Sequence, residues 1–356
     1  MIGDRIQQAR KASGLSLRAL GEKAGVTAMA ISKYENDQST PSSEVLLALA
    51  KSLNVRTEYF FRQASVELEN IEHRDHHQLP ANEEKKVIAD VKEQLERWEE
   101  LEKFVPAPWS IPFDLPKDLP KQITDYDQIE KVAINVREHW DLGLNPISDL
   151  IDTIETKGIK VLITQYDGHK NFNGLSATVN GAPVVVVGKH WTGDRQRFTL
   201  AHELGHLVLH DLLDSSLGEE KACNRFAGAF LAPKDSVISC LGVRRKRLEL
   251  QELSMLKQDW GLSMMAWSFR AKDLNIIPDT TYKQLWSEHM RHWKAKAEEP
   301  GKRYEAEKPS LFKQLIYRAI AEDKIGESKA AELLGISVTE FHAKRKLENE
   351  DAVVNQ

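Results

Sequence analysis

His202, Glu203 and His206 lie within Phe198 to His210, FTLAHELGHLVLH, in the order H-E-x-x-H. On a helix, residues four apart lie one above the other on the same face, so both imidazoles can reach a single metal ion. Glu203 sits beside the first of them, where a carboxylate can take a proton from a water that such an ion activates. Phe198, Leu200, Ala201, Leu204, Leu207, Val208 and Leu209 make the stretch apolar nearly all round, which marks a buried helix. Taken alone, the five-residue pattern also fits two satisfied core histidines. An open zinc site needs three protein ligands. After Asp211 to Gly218 a second helical stretch begins with Glu219 and Glu220, and Glu220, Cys223, Asn224 and Ala227 share one of its faces. Glu220 is the expected third ligand, with Glu219 as the alternative. His210 continues the first helical row but lies about 12 Å from His202 along a straight helix, too far to bind the same ion. Cys223 reads as a buried structural thiol.

The elements that position these residues belong to a chain of 356 residues, long enough for two or three packed domains. It is 41% hydrophobic and 29% charged, with a net charge of −5, so any nucleic-acid surface must be local. Two cysteines, Cys223 and Cys240, are too few for a disulfide framework and fit a reducing compartment. The first residues carry no apolar signal core, and the longest apolar run, Val184 to Val187, is far below spanning length. A cytoplasmic protein with no membrane partner is expected.

From Ile2 to Phe61 the pattern predicts five short helices. Ser16 caps one carrying Leu17, Leu20 and Ala24; Gly25 ends it and Thr27 caps the next, a helix-turn-helix signature. Ile31 and Tyr34 point the second helix inward and leave Ala28, Met29, Ser32 and Lys33 outside, where a recognition helix enters the major groove by its first turns. Residues 1–62 hold nine Lys/Arg and six Asp/Glu, a local charge of 9 − 6 = +3. The stretch LSLRALGEKAGVTAMAISKYENDQSTPSSEVLLALAKSLNV resembles the Cro/CI-type (XRE) helix-turn-helix family. That resemblance implies sequence-specific binding of duplex DNA, commonly as a dimer on a palindrome, with Arg18, Thr27, Ala28, Met29, Ser32 and Lys33 as candidate contacts. Ala28 and Met29 stand where the family often has Gln or Asn, and they favour thymine methyls over bidentate hydrogen bonds.

Residues 63–105 turn acidic, twelve Asp/Glu against six Lys/Arg. Asn82 can cap a long helix in which Ile88, Val91, Leu95, Trp98 and Val105 form one stripe, fit either to pair with its copy or to dock on the next domain. His73, His76 and His77 read as a solvated polar run. Pro106, Pro108, Pro112, Pro116 and Pro120 forbid continuous helix and mark a linker or wrapping arm, to which Trp109 and Phe113 add apolar anchors. Helices follow at Asp127 to Leu142 and Ile147 to Lys157, then a strand at Ile159 to Thr164. Leu175 to Val179 and Pro183 to Val187 flank Asn180-Gly181, the preferred turn of a two-residue hairpin. An exposed edge of that hairpin would let an extended peptide add by main-chain hydrogen bonds.

NFNGLSATVNGAPVVVVGKHWTGDRQRFTLAHELGHLVLH followed by EKACNRFAGAFLAP resembles the ImmA/IrrE metallopeptidase family. The resemblance continues through WGLSMMAWSFRAKDLNII and EPGKRYEAEKPS. It implies that His202, His206 and Glu220 hold Zn2+, that Glu203 is catalytic, and that the substrate is a helix-turn-helix repressor. Cys223 stands where the family usually has Ala and leaves Glu220 intact. Arg195, Arg197 and His210 are the nearest candidates for oxyanion stabilisation, and each also has a structural reading. After Pro309, three helices around AELLGISVTEF resemble a second, smaller helix-turn-helix. Lys344, Arg345 and Lys346 would suit DNA, but the near-neutral charge of the segment favours a cap packed on the peptidase domain.

The expected architecture is mainly α with a small β-sheet: a five-helix DNA-binding domain over 1–62, an acidic helical linker and proline-rich arm over 63–120, an α+β zincin-like metallopeptidase domain over 121–308, and a helical cap over 309–356. The expected function is a homodimeric DNA-binding regulator carrying a zinc endopeptidase that cuts a helix-turn-helix repressor or itself. The alternative is a non-catalytic repressor that uses the same domain as a signal sensor or partner dock.

Overall fold

The computed structural model describes residues 2–53, 55–61, 66–73, 80–105, 112–164, 172–296 and 298–346. His76, His77, Pro106, Pro108 and Trp109 lie outside the described residues, as does the side chain of His73. The first unit comprises α1 (Ile2–Ala12), α2 (Leu17–Ala24), α3 (Ala28–Glu35), α4 (Ser43–Leu53) and a 3-10 turn at Thr57–Phe61. Ser16 Oγ accepts from Ala19 N, and Thr27 Oγ1 accepts from Ala30 N. Gly25 turns the chain at φ 72°, a left-handed conformation that costs glycine least. Ile6, Leu20, Ile31, Leu49 and Phe60 close the unit's own core.

Next come β1 (Glu69–His73), α5 (Ala81–Glu102), α6 (Tyr126–His139), α7 (Leu150–Thr156), β2 (Lys160–Thr164), β3 (Gly174–Val179) and β4 (Ala182–Gly188). The long helix starts one residue before Asn82, with Pro80 at its N-cap, so Asn82 is not the cap. The four strands order as β1-β3-β4-β2, with β2 parallel to β4 and the other pairs antiparallel. Asn180 (φ 50°) and Gly181 (φ 77°) make the hairpin turn, both left-handed as a two-residue turn of this hand requires. The hairpin edge is not open. β1, a strand with no apolar alternation to reveal it in the sequence, lies along β3.

The chain continues through α8 (Gly193–Leu209), α9 (Glu219–Leu231), α10 (Lys234–Leu241), α11 (Leu250–Trp260), α12 (Met264–Asp273), α13 (Asp279–Leu285), a π turn at Trp286–Met290 and α14 (Arg291–Lys296). It ends in α15 (Leu311–Ala321), α16 (Glu327–Leu334) and α17 (Val338–Arg345). The sheet separates two cores. Val161, Val185 and Val187 face Leu200, Leu204 and Val208 of α8. Leu162, Leu175, Ala177, Val179, Val184 and Val186 face the other way, toward Val91, Leu95 and Trp98 of α5 and toward Ile316, Ala331, Leu333 and Phe341 of α15–α17. The stripe of α5 therefore docks within its own chain, which decides between the two uses open to it. Alternate residues serving opposite faces is the strand period itself.

The N-terminal unit is held to α5 by Arg5, whose Nη1 donates to Glu96 Oε1 at 2.7 Å and Oε2 at 2.8 Å in a buried pair. The C-terminal helices repeat the α2–α3 turn, with Gly335 at φ 69° and Ser337 capping Glu340 N. They form a cap on α5 and the sheet; Lys344 pairs with Glu340, and Arg345 with Glu327. No described helix is long and apolar enough to cross a membrane.

Glu155, at the end of α7, lies against the start of α15, where Leu311 N donates to Oε2 at 3.4 Å. Burial, reinforced by the charges of Asp152 and Asp149, pushes its carboxyl up to about 7 against the pull of the Leu311 and Ser310 amides. A raised folded-state value means that the fold favours the protonated form. The stability it supplies is complete below the ordinary value of 4.5 and is lost as pH rises through about 7. Relative to the wild type, Glu155→Gln should therefore gain stability between pH 5 and pH 8, by about 1 kcal/mol or more, since each shifted unit is worth about 1.4. Paired urea titrations at the two pH values check this, and a gap of equal size at both would refute it.

Candidate metal centre

The centre is built where α8 crosses α9, and a glycine permits the crossing. A methyl on Gly205 would lie 3.2 Å from Cys223 Cα and 3.2 Å from Phe226 Cδ1, so any side chain between the two histidines would push the helices apart. Phe226, Ala227 and Phe230 of α9 pack with Ala201, Leu204 and Val208 of α8 in one buried cluster. Each large apolar side chain buried there contributes roughly 1.5–3 kcal/mol to holding the two helices together.

His202, Glu203 and His206 are buried, and Glu220 is one-third exposed. The two Nε2 atoms are 3.1 Å apart. Glu220 Oε2 lies 3.5 Å from His202 Nε2, and Glu220 Oε1 lies 3.4 Å from His206 Nε2. On the far side of each ring an acceptor waits: Asn224 Oδ1 at 3.1 Å from His202 Nδ1, and Glu219 Oε1 at 3.0 Å from His206 Nδ1. These acceptors place the ring hydrogens on Nδ1 and turn the Nε2 lone pairs toward each other and toward Glu220, an arrangement that asks for positive charge between them.

A tetrahedral zinc with bonds of about 2.0–2.2 Å has its ligand atoms about 3.3–3.6 Å apart, close to the spacings of this trio. The donor set therefore fits the metal. His202, His206 and Glu220 are the group of metal-capable side chains found among the described residues, their ligand atoms all within 4.8 Å. The electrostatics agree in sign. Burial alone would lower His206, but its contacts with Cys223 and Glu220 and the nearby Glu203 carboxylate outweigh burial and hold it above the ordinary imidazole range. Contacts with the two histidines hold Glu220 well below the usual carboxylate range.

Glu203 lies near the start of β3: a methyl on Gly174 would lie 3.3 Å from Glu203 Oε1 and 2.7 Å from Thr199 Cγ2. Beside Glu220 and Asn224 opens a cavity of about 860 Å³, its walls including Phe198, Met265, Phe269 and Trp286. Glu219 lies on the outer nitrogen of His206, away from the trio. Arg195 stacks on Trp191 at 3.4 Å and donates to Asn173 Oδ1 at 2.7 Å. Arg197 is buried against Glu307 and the Ile147 carbonyl, a bracing position. His210 is exposed at the end of α8. Asn224, Gly205 and Gly174 were not singled out for these parts by sequence. Only Asn224 left a signal, its place on the Glu220 face.

In the N-terminal unit, Met29 is 70% exposed, Thr27 and Lys33 are exposed, and Ala28 and Ser32 are half-buried on the outer side of α3. Arg18 is exposed and pairs with Glu22 at 3.0 Å. The six candidate DNA contacts thus share the α2–α3 surface.

Residues 6–60 match the family described as helix-turn-helix, and residues 154–272 match the family described as the IrrE N-terminal-like domain, a peptidase family. Over 62 residues, 17% of this chain, the sequence is 37% identical to Repressor protein C2 of Salmonella phage P22, and that match spans 29% of the repressor. The whole chain also aligns with 99% of the chain in the crystal structure of Bacillus thuringiensis PlcR in complex with the peptide PapR7 and DNA, at 13% identity and a TM-score of 0.16, a value too low to bear on the fold. The chain thus joins an XRE-type helix-turn-helix to an IrrE/ImmA-like peptidase-family domain.

Zinc titration separates the trio from its supports. His206→Ala should abolish stoichiometric binding, whereas Asn224→Ala, which removes only the acceptor behind His202, should weaken it about 10–100-fold. Competition with a chromophoric chelator measures both, and full zinc occupancy in the His206 variant would exclude this trio.

Proposed function

We propose that this chain is a cytoplasmic, DNA-binding transcriptional regulator whose second domain is a zinc-dependent endopeptidase, acting on a helix-turn-helix repressor or on the chain itself. The supporting observation is the buried trio of His202, His206 and Glu220, set at zinc spacings beside a buried Glu203. His202 and His206 hold the ion through Nε2 and Glu220 through its carboxylate. Zinc, when bound, supplies Lewis acidity toward a carbonyl and lowers the pKa of a water to about 7. Glu203 takes the proton of the attacking water on its carboxylate and delivers it to the leaving amine nitrogen. Asn224 and Glu219 keep both rings in the tautomer that offers Nε2. The proposed division is DNA binding by 1–62, connection by 63–120, catalysis by 121–308 and capping by 309–356.

Duplex DNA is the proposed partner of the α3 surface, in line with the helix-turn-helix match over residues 6–60 and the 37% identity to a phage repressor over 62 residues. A homodimer reading two half-sites is part of the proposal, with a seam other than the buried stripe of α5. A second reading draws support from the aromatic cavity beside Glu220, which has the size of a small-ligand site. In that reading the domain senses a signal for a repressor and turns nothing over.

Glu203→Gln should keep its zinc and lose peptide hydrolysis by about 10²–10⁴-fold, the usual effect of removing a general base. Fragments of this chain or of a helix-turn-helix repressor, mapped by mass spectrometry, provide the readout. Fragments that are absent, or that appear equally with the variant, favour the sensor. On the DNA side, Lys33→Ala should weaken binding of the full chain to the duplex flanking its own gene at every sequence alike and reduce the salt slope by about one. Gel shifts across a salt series measure it, and unchanged affinity and slope would remove Lys33 from the interface.

A further inference from the structure

An extended peptide could reach Glu203 most directly along β3. Glu203 Oε1 lies 3.3 Å from where a side chain on Gly174, the first residue of that strand, would begin, and β4 occupies only one of the two edges of β3. The other edge is where a peptide would add a strand through main-chain hydrogen bonds. In this structure β1 lies there, antiparallel, with Glu69 opposite Thr178, Glu72 opposite Ser176 and His73 opposite Leu175. β1 thus ends one position along β3 from Gly174. It comes from the short stretch between the DNA-binding unit and α5.

The strand is built to be exchangeable. Its sequence, Glu69-Asn70-Ile71-Glu72-His73, lacks the alternating apolar residues that pin a strand to one face, and Ile71 is exposed. Its register breaks between Glu69 and Glu72. It is also an edge strand of the sheet, paired on one side only among the described residues. What favours it over a free peptide is its covalent attachment, which gives it an effective local concentration on the order of millimolar.

We propose that β1 is the resident occupant of the peptide-binding edge of β3, and that any peptide lying beside Glu203 must first displace this segment of the chain's own linker. The inference rests on the peptidase reading above for what the edge is used for. It makes the linker a competitor of the substrate and ties access to the site to the segment that follows the DNA-binding unit.

The test uses the zinc-loaded full chain and, as probe, a fluorescent synthetic peptide with the sequence of residues 66–73. Adjacent amides in a strand point to opposite sides, so the double variant Glu72→Pro with His73→Pro must remove one that faces β3. A second variant replaces Glu69–His73 by Gly-Ser-Gly-Ser-Gly, in case the prolines disturb folding. In either variant the probe should bind at least about tenfold more tightly than in the wild type, as expected when a tethered competitor is lost. Added probe should also slow hydrogen exchange of the Gly174–Val179 amides in the variants and not in the wild type. Equal probe affinity in all three chains, or none in the folded variants, overturns the proposal. Cleavage of a quenched random peptide mixture is followed in parallel. Strand exchange as expected with no Glu203-dependent cleavage in any chain defeats the peptidase reading and leaves the edge assignment standing; cleavage without any change in probe binding does the reverse.

Discussion

The metal centre depends on the close approach of α8 and α9 at Gly205. Two histidines on one helix define a line, not a site; the third group has to come from another element, at a distance set to within a few tenths of an ångström. Gly205 lets the backbone of Cys223 come near enough for Glu220, three residues earlier on α9, to reach both Nε2 atoms. Asn224, the next residue along, then falls behind His202. The helix period supplies the ligand and its support together, and a larger residue at position 205 would withdraw both.

That crossing is held from outside by buried ion pairs and carbonyl contacts. Arg270 of α12 binds Glu130 of α6 and the Ala232 carbonyl that follows α9. Arg137 of α6 donates to the carbonyls of Gly143, Asn145 and Phe230, and burial lowers it to about 10, so the desolvation is offset by hydrogen bonds rather than by a carboxylate. Arg197 joins α8 to Glu307, whose other oxygen accepts from the amides of Leu150 and Ile151 at the start of α7. Buried pairs of this kind add modest net stability but fix geometry, because losing one partner strands the other in a low-dielectric interior.

The sheet and α5 connect this centre to the rest of the chain. One face of the sheet carries the site helix and the other carries α5, which also receives the DNA-binding unit through Arg5–Glu96 and the C-terminal helices through their shared core. A displacement of the segment between the DNA-binding unit and α5 therefore reaches β3 directly, through the main chain of β1. The acidic stretch that connects the two halves is also a structural part of the second.

Local patterns were enough to determine several features of this protein. The spacing of His202 and His206, the capping residues Ser16 and Thr27, the left-handed turn at Gly25 and the Asn180-Gly181 hairpin each follow from the backbone within a few residues, which is why the sequence shows them. The apolar stripe of α5 showed that a face would be buried but not against what, since pairing with a copy and docking on the sheet ask for the same residues. Tertiary structure settled that question in favour of the sheet and the C-terminal helices. It also put Asn224 and Glu219 behind the histidines, brought Gly174 up to Glu203, and laid β1 along β3. Of these, only the place of Asn224 on the Glu220 face had left a trace in the sequence. Each depends on a contact between elements distant in sequence, and β1, a strand held by main-chain hydrogen bonds, leaves no mark on the side chains that a sequence records.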